Sequence, residues 1–246
     1  MSTHDALLLI GHGSARYPDA AGAMRRHADS LRRQKRFADV AVGLLNGTPS
    51  VTQALAEITG PDIRVVPFFM EDGYFTRVAV PRALTVPTLA NRHVRMCQPV
   101  GVHDGMAGLM ERQALAACAA LGVASRQTAV LIVGHGSSSA PGRALALHRH
   151  AARIAATELF ARVEAACLEE PPLVAGVLAG LRAHPVVVIG FFANQGGHVR
   201  DDVPKMIAAE QAARSESGLP VRFQGSIADD PEMAEIIMSQ ATSGPV

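Results

Sequence analysis

The chain repeats itself at half its own length. LLLIGHGSARYPDA begins at Leu7 and VLIVGHGSSSAPGR at Val130, an offset of 123 in a chain of 246 residues. Laying residues 5–28 on 128–151 without gaps gives 12 identities in 24, among them Gly11/Gly134, His12/His135, Gly13/Gly136, Ser14/Ser137, Pro18/Pro141 and His27/His150. The same offset lays 63–81 on 186–204 with 7 identities in 19. One offset shared by two separated segments points to two copies of one fold, and the period is far longer than that of a solenoid repeat. The expected domains are therefore 1–122 and 128–246, joined by a linker at 123–127 and facing each other across a cleft.

Within each copy, short apolar runs alternate with amphipathic stretches. The first copy reads as strand 6–10, helix 18–34, strand 37–45, a helix opened by Pro49, strand 63–70, a helix with Pro81 near its start, strand 94–100 and a closing helix 105–121. The second reads as strand 129–133, helix 141–157, strand 159–167, helix 172–183, strand 186–192, helix 201–215, strand 220–225 and helix 230–240. Continuous apolar strands separated by helices indicate a parallel sheet covered on both faces. The fold class is thus α/β: two tandem doubly wound units, each a four-stranded parallel sheet flanked by helices. Ligands of such sheets lie beyond the carboxyl ends of the strands.

Composition excludes several functions. Lys+Arg is 23 and Asp+Glu 22, a formal charge of +1, which argues against the basic face of a nucleic-acid binder. No run of 18 apolar residues suggests a membrane span, and MSTHDALLLIGHGS lacks the basic region of a signal peptide. Three scattered cysteines, Cys97, Cys118 and Cys167, suit a reducing cytoplasm rather than a disulfide framework or a Cys-rich zinc site.

The two copies of Gly-His-Gly-Ser stand between the first strand and the first helix of each half. There a histidine points into the crevice, the glycines allow close backbone approach, and Ser14 and Ser137–Ser139 are placed to cap the next helix. A plain strand-to-helix turn with a surface histidine explains the motif equally well, and duplication copies structure as readily as function. The segment after the third strand is more informative because the halves differ. His198 of the second copy corresponds to Phe75 of the first, so His135 and His198 follow strands expected to be neighbours and can converge, whereas His12 has no such partner. Two histidines in one crevice suit a metal ion or proton transfer near neutral pH. Glu169 and Glu170 fall opposite Asn46 and Gly47, and either could complete the set or be a solvated loop acid. His27, His148 and His150 are helix residues with a scaffold or surface role, and His4, His93, His103 and His184 read as surface residues.

Taken together, Gly134-His135-Gly136-Ser137, Leu168-Glu169-Glu170-Pro171, Gly196-Gly197-His198-Val199, Asp202 and Pro204 resemble the sirohydrochlorin chelatases, the ATP-independent class II chelatases of cobalamin and sirohaem synthesis. The resemblance spans nearly the whole chain and implies a bilobal architecture. It implies insertion of cobalt or iron into a reduced tetrapyrrole, with the divalent metal as substrate and no permanently bound cofactor. It carries the family's two histidines onto His135 and His198, as metal ligands and catalytic residues, and its acidic residue onto Glu169. Long members often keep the working pair in the N-terminal half; here it stands in the C-terminal half. For the substrate, Ser137, Arg143, Gly197, Arg200, Phe75 and His12 are the candidate contacts. Arginines near the strand ends (Arg16, Arg77, Arg143, Arg200) suit its many carboxylates, although with 21 Arg against 2 Lys any one of them carries little information. The expected partner is this small molecule, with no nucleic acid and no membrane, and the protein is expected to be a cytoplasmic monomer or weak homodimer.

Two other readings compete. A tetrapyrrole or metal carrier on the same fold would explain Phe75. A hydrolase would explain GSSSA as an imitation of G-x-S-x-G, but Ala140 replaces the last glycine and no acid follows in triad order.

Overall fold

The computed structural model describes residues 5–14, 17–86, 89, 91–139, 142–194 and 196–243. His4, Arg16, Ala140 and Pro141 lie outside the described residues. The chain divides into two compact units. Unit 1 comprises Met1–His103, Ala193–Gly196 and Ala228–Val246; unit 2 comprises Asp104–Phe192 and Gly197–Ile227.

Unit 1 is built on four parallel strands, β1 (Ala6–Gly11), β2 (Val40–Leu44), β3 (Asp62–Pro67) and β4 (His93–Met96), in the order β2-β1-β3-β4. Every residue of β1 is buried, as the run ALLLIG requires of a central strand covered on both faces. The helices α1 (Gly22–Gln34), α2 (Val51–Ala56) and α3 (Val80–Ala83) connect the strands. A capping box starts α2: the Ser50 hydroxyl accepts from the Gln53 N–H, and the Gln53 side chain accepts from the Ser50 N–H. Leu8, Ile10, Val65, Leu55 and Val80 meet in the core, each contributing about 2 kcal/mol of transfer free energy.

Unit 2 repeats the plan. Its parallel strands β5 (Ala129–Gly134), β6 (Arg162–Cys167), β7 (Val186–Gly190) and β8 (Val221–Ser226) take the order β6-β5-β7-β8. The helices α5 (Leu145–Ala155), α6 (Val174–Gly180) and α7 (Val203–Ala213) connect them. The central strands β1 and β5 keep the 123-residue offset, and so do two widened turns of π-helix, Phe75–Ala79 before α3 and His198–Asp202 before α7. In both sheets the chain leaves the first strand toward one edge and returns on its other side. The strand ends there splay apart and open a crevice.

The packing differs from the expected halves at the closing helices. α4 (Gly105–Leu121), expected to close the first copy, belongs to unit 2, where it packs on β7, β8 and α5. α8 (Met233–Thr242) belongs to unit 1, where it packs on α1 and β3. The compact units therefore do not coincide with 1–122 and 128–246. Both helices bury apolar faces, and α8 also has polar ties to its unit. The Arg64 guanidinium donates to the Ala241 carbonyl at 2.7 Å, the Gln240 amide to the Pro99 carbonyl at 2.8 Å, and Arg95 to the Ser243 carbonyl at 2.8 Å, all within unit 1. The expected helix 201–215 is found as α7, Val203–Ala213, and the π turn His198–Asp202 runs directly into it, so His198 opens a helical turn rather than sitting in a loop. No described helix is long and apolar enough to cross a membrane.

Candidate metal-binding site

Three strand ends of unit 2 deliver the site. His135 follows β5, Glu169 follows β6, and His198 opens the turn after β7. The β5–β6 side is fixed by backbone pairing that continues past the strands, with the Glu169 N–H donating to the His135 carbonyl at 3.0 Å and the Leu168 N–H to the Gly134 carbonyl at 3.1 Å. Gly136 makes this possible. Its φ is +71°, and a Cβ there would meet Cys167 Cβ and Glu170 Cγ at 2.7 Å.

The two imidazoles meet edge to face, with centroids 4.5 Å apart at 85°, and their Nε2 atoms are 3.0 Å apart. His135 Nδ1 lies 3.0 Å from the Gly136 carbonyl and 3.7 Å from Glu169 Oε2, while His198 Nδ1 lies 2.8 Å from Asp202 Oδ2. A carbonyl or carboxylate oxygen accepts, so each Nδ1 is placed to donate, and a neutral ring that does so keeps its lone pair at Nε2. A cation between the two Nε2 atoms would be met by both lone pairs. An ion held about 2.1 Å from each Nε2 would see the two nitrogens about 90° apart, the cis angle of an octahedral ion rather than the tetrahedral angle. Glu169 offers the third oxygen or nitrogen ligand in a cluster whose atoms all lie within 4.8 Å of one another. All three side chains reach solvent, at 50%, 42% and 37% exposure for His135, Glu169 and His198.

The two adjacent acids separate. Glu170 is 3% exposed and accepts from the Gly142 N–H at 2.7 Å, tying down the loop that carries His135. Asp202 was part of the sequence pattern that resembles the chelatases but was given no role there; the signal for one was the His-x-x-x-Asp spacing at a helix start. Other candidates stand as follows. Ser137 lies 3.2 Å from Ser139 through their hydroxyls, but neither caps α5, whose N-cap is Ala144 without a side-chain bond. Ser14 likewise caps no helix and accepts instead from the Tyr17 N–H at 3.0 Å. Arg143 and Arg200 are exposed and without a partner among the described residues. Gly197 precedes the π turn in helical conformation. Arg77 is bound to Asp72 at 2.7 Å, and its guanidinium holds that carboxyl below the usual carboxylate range. His27 and His150 are buried, His103 bonds the Ser239 hydroxyl at 2.8 Å, and His184 bonds the Gln127 carbonyl at 3.1 Å, so these are structural rather than free surface groups.

Unit 1 keeps the shape of this site without its donors. His12 lies 2.9 Å from the Gly13 carbonyl through Nδ1, and Phe75 meets it edge to face, at 4.7 Å and 83°. Asn46, Phe75 and Ala79 stand where unit 2 has Glu169, His198 and Asp202. Phe75 stacks on Phe69 at 5.6 Å and remains 40% exposed beside Tyr74, which is 59% exposed.

The family model for CbiX matches the chain twice, over residues 6–117 and 129–243, and the chain belongs to the CbiX family. A probable sirohydrochlorin cobaltochelatase of Halobacterium salinarum is 24% identical to it over 269 residues, covering 96% of this chain and 90% of that protein. A multi-domain Deinococcus radiodurans protein, described as structurally similar to chelatases with two additional domains, superposes with a TM-score of 0.85 at 27% identity. That match covers 100% of this chain but only 56% of the longer protein. The sirohydrochlorin chelatase SirB of Bacillus subtilis subspecies spizizenii, solved with cobalt, shares the fold at a TM-score of 0.74 and 14% identity, over 96% of this chain and 93% of its own.

Proposed function

We propose that this protein inserts a divalent metal, cobalt or iron, into sirohydrochlorin or a related reduced tetrapyrrole, and that unit 2 carries the chemistry. The observation that carries this reading is the convergence of two imidazole Nε2 atoms to 3.0 Å on side chains that reach solvent. The metal is substrate: His135 and His198 hold it through Nε2 until the macrocycle takes it. Two pyrrole N–H protons leave the macrocycle as the ion enters. Glu169, exposed and beside His135, offsets the metal's charge and accepts one of these protons, and the other passes to the solvent that reaches the site. Arg143, Arg200 and the Ser137 hydroxyl receive the carboxylates of the substrate and Gly197 leaves room for its edge; within unit 1, the rings of Phe75 and His12 offer the kind of face on which a flat conjugated macrocycle packs.

The direct test is anaerobic incubation with sirohydrochlorin and Co²⁺ or Fe²⁺, followed by absorbance of the metallated product. Wild-type protein is expected to accelerate insertion. His198→Ala should remove most of the acceleration, and His12→Ala much less. The loss of Glu169, His198 and Asp202 counterparts in unit 1 favours one alternative, a carrier. A carrier would bind metal and macrocycle without changing the insertion rate.

A further inference from the structure

We propose that Asp202 is a positioning residue that fixes the tautomer of His198 and so aims its Nε2 lone pair at the metal. This deepens the proposed function and rests on it for its catalytic meaning. His135 needs no such residue, since the Gly136 carbonyl holds its Nδ1–H, and the equivalent contact from His12 to Gly13 recurs in unit 1. No backbone carbonyl is recorded against His198 Nδ1. Its acceptor is Asp202 Oδ2 at 2.8 Å, and that is the only contact recorded for the carboxylate among the described residues.

The repeat supplies an internal control for the role of this acid. The π turn of unit 2 spans His198–Asp202, and its backbone closes by the Val203 N–H donating to the His198 carbonyl. Unit 1 builds the same turn over Phe75–Ala79, closed by the Val80 N–H on the Phe75 carbonyl and followed by the same Val-Pro step. It does so with Ala79 in place of Asp202. The turn therefore forms without the acid. Asp202 is present where a histidine opens the turn and absent where a phenylalanine does, which is the pattern of a group that serves the imidazole. Without it, the proton of neutral His198 is free to move to Nε2, where it would point at His135 and occupy the position of the ion.

The test uses the full chain and Co²⁺ alone, without macrocycle. Long-range ¹H–¹⁵N spectra of the metal-free protein should show His198 protonated at Nδ1, and Asp202→Ala should raise the Nε2–H population. Cobalt affinity, read from the visible d–d band, should fall 10- to 100-fold in Asp202→Ala, with an unchanged far-ultraviolet circular dichroism spectrum. Asp202→Asn, whose amide oxygen can still accept the Nδ1 proton, should lie between wild type and Ala, and it keeps the test decisive if the Ala variant folds poorly. Wild-type cobalt affinity in both variants, or an Nε2–H tautomer of His198 in the wild type, would overturn the proposal. Because tautomer and cobalt affinity are measured without tetrapyrrole, a failure of the chelatase reading would show separately, as absence of metal insertion by a wild type that still binds cobalt.

Discussion

At the scale of single residues, the site depends on one glycine as much as on its histidines. Gly136 sits at φ +71°, with no space for a side chain against Cys167 and Glu170. Gly136→Ala should cost about 1–3 kcal/mol, from left-handed strain and overpacking together. It should also displace His135, because the next carbonyl holds that ring. We expect a lower urea midpoint together with weaker cobalt binding, whereas Gly142→Ala, also at positive φ but with open space around it, should cost stability while sparing cobalt binding. The residues of this site were legible in the sequence to different degrees. His135 and His198 were visible because the repeat exposes the one place where a histidine replaces a phenylalanine. Glu169 was told from Glu170 only by the family resemblance, since charge alone does not say which of two adjacent acids turns inward. The backbone pairing of Glu169 with His135 decides it, sending Glu170 into the interior to meet the Gly142 N–H. Asp202 stood in the family pattern without a role, because its role appears only once the turn places it 2.8 Å from the imidazole.

At the scale of elements, α7 is anchored by a cluster of charge that the site does not use. Glu210 is 8% exposed and accepts from both Arg182, at 2.9 and 3.0 Å, and Arg214, at 2.9 Å. The Arg182 guanidinium first, and Arg214 with it, hold the Glu210 carboxyl below its ordinary range. Arg214 is 2% exposed and also donates to the His184 carbonyl at 2.8 Å and the Leu178 carbonyl at 3.2 Å, so α7 is tied to the end of α6 and to the entry of β7. Glu210→Gln leaves a buried guanidinium uncompensated and should destabilise the protein by about 3–5 kcal/mol, read from equilibrium denaturation. Replacing exposed Glu235 by Gln should change stability by less than about 0.5 kcal/mol. Sequence patterning placed α7 and its neighbouring strands well. It missed the π turn His198–Asp202 ahead of the helix because that turn departs from the 3.6-residue period on which such readings rest.

At the scale of the whole molecule, the closing helices are exchanged between the sequence halves, and this has measurable consequences. A chain ending at Ile227 would lose α8 from unit 1 and keep every element of unit 2. Amide exchange should then show loss of protection in β1–β4, the strands far from the cut in sequence, with β5–β8 largely retained. The opposite pattern would show that α8 serves the half in which it is encoded. The returning segment also creates a pH dependence. His27 on α1 is 4% exposed and donates from Nε2 to the Ala228 carbonyl at 2.7 Å. Burial lowers its pKa from 6.5, opposed by that hydrogen bond and by Asp229 and Asp230, and reinforced by Arg26. Below pH 6.5 the unfolded chain takes up a proton that the folded state resists. The stability contributed by neutral His27 is therefore full above 6.5 and declines as pH falls toward the folded pKa. The urea midpoint should fall between pH 7.5 and 5.5, and His27→Gln, which keeps a donor for Ala228, should flatten that fall.

What the amino-acid sequence determined by itself is local and periodic: two copies, four apolar strands in each, parallel because helices intervene, and a histidine at the same strand end in both. These follow from burial patterns and turn chemistry that act over a few residues. Which sheet each closing helix covers is a different matter. α4 and α8 both present Met, Ala and Leu or Ile to their sheets, and two sheets made by one repeat offer nearly the same apolar surface. Apolar burial is non-directional and cannot choose between them. For α8 the directional contacts are hydrogen bonds with fixed partners, Arg64 to Ala241, Gln240 to Pro99 and Arg95 to Ser243, which exist only once the chain has returned across more than half its length. The site shows the same division: the repeat marks where the histidines stand, but only the packed strand ends bring two Nε2 atoms to 3.0 Å, because that distance depends on β5 and β7 lying side by side.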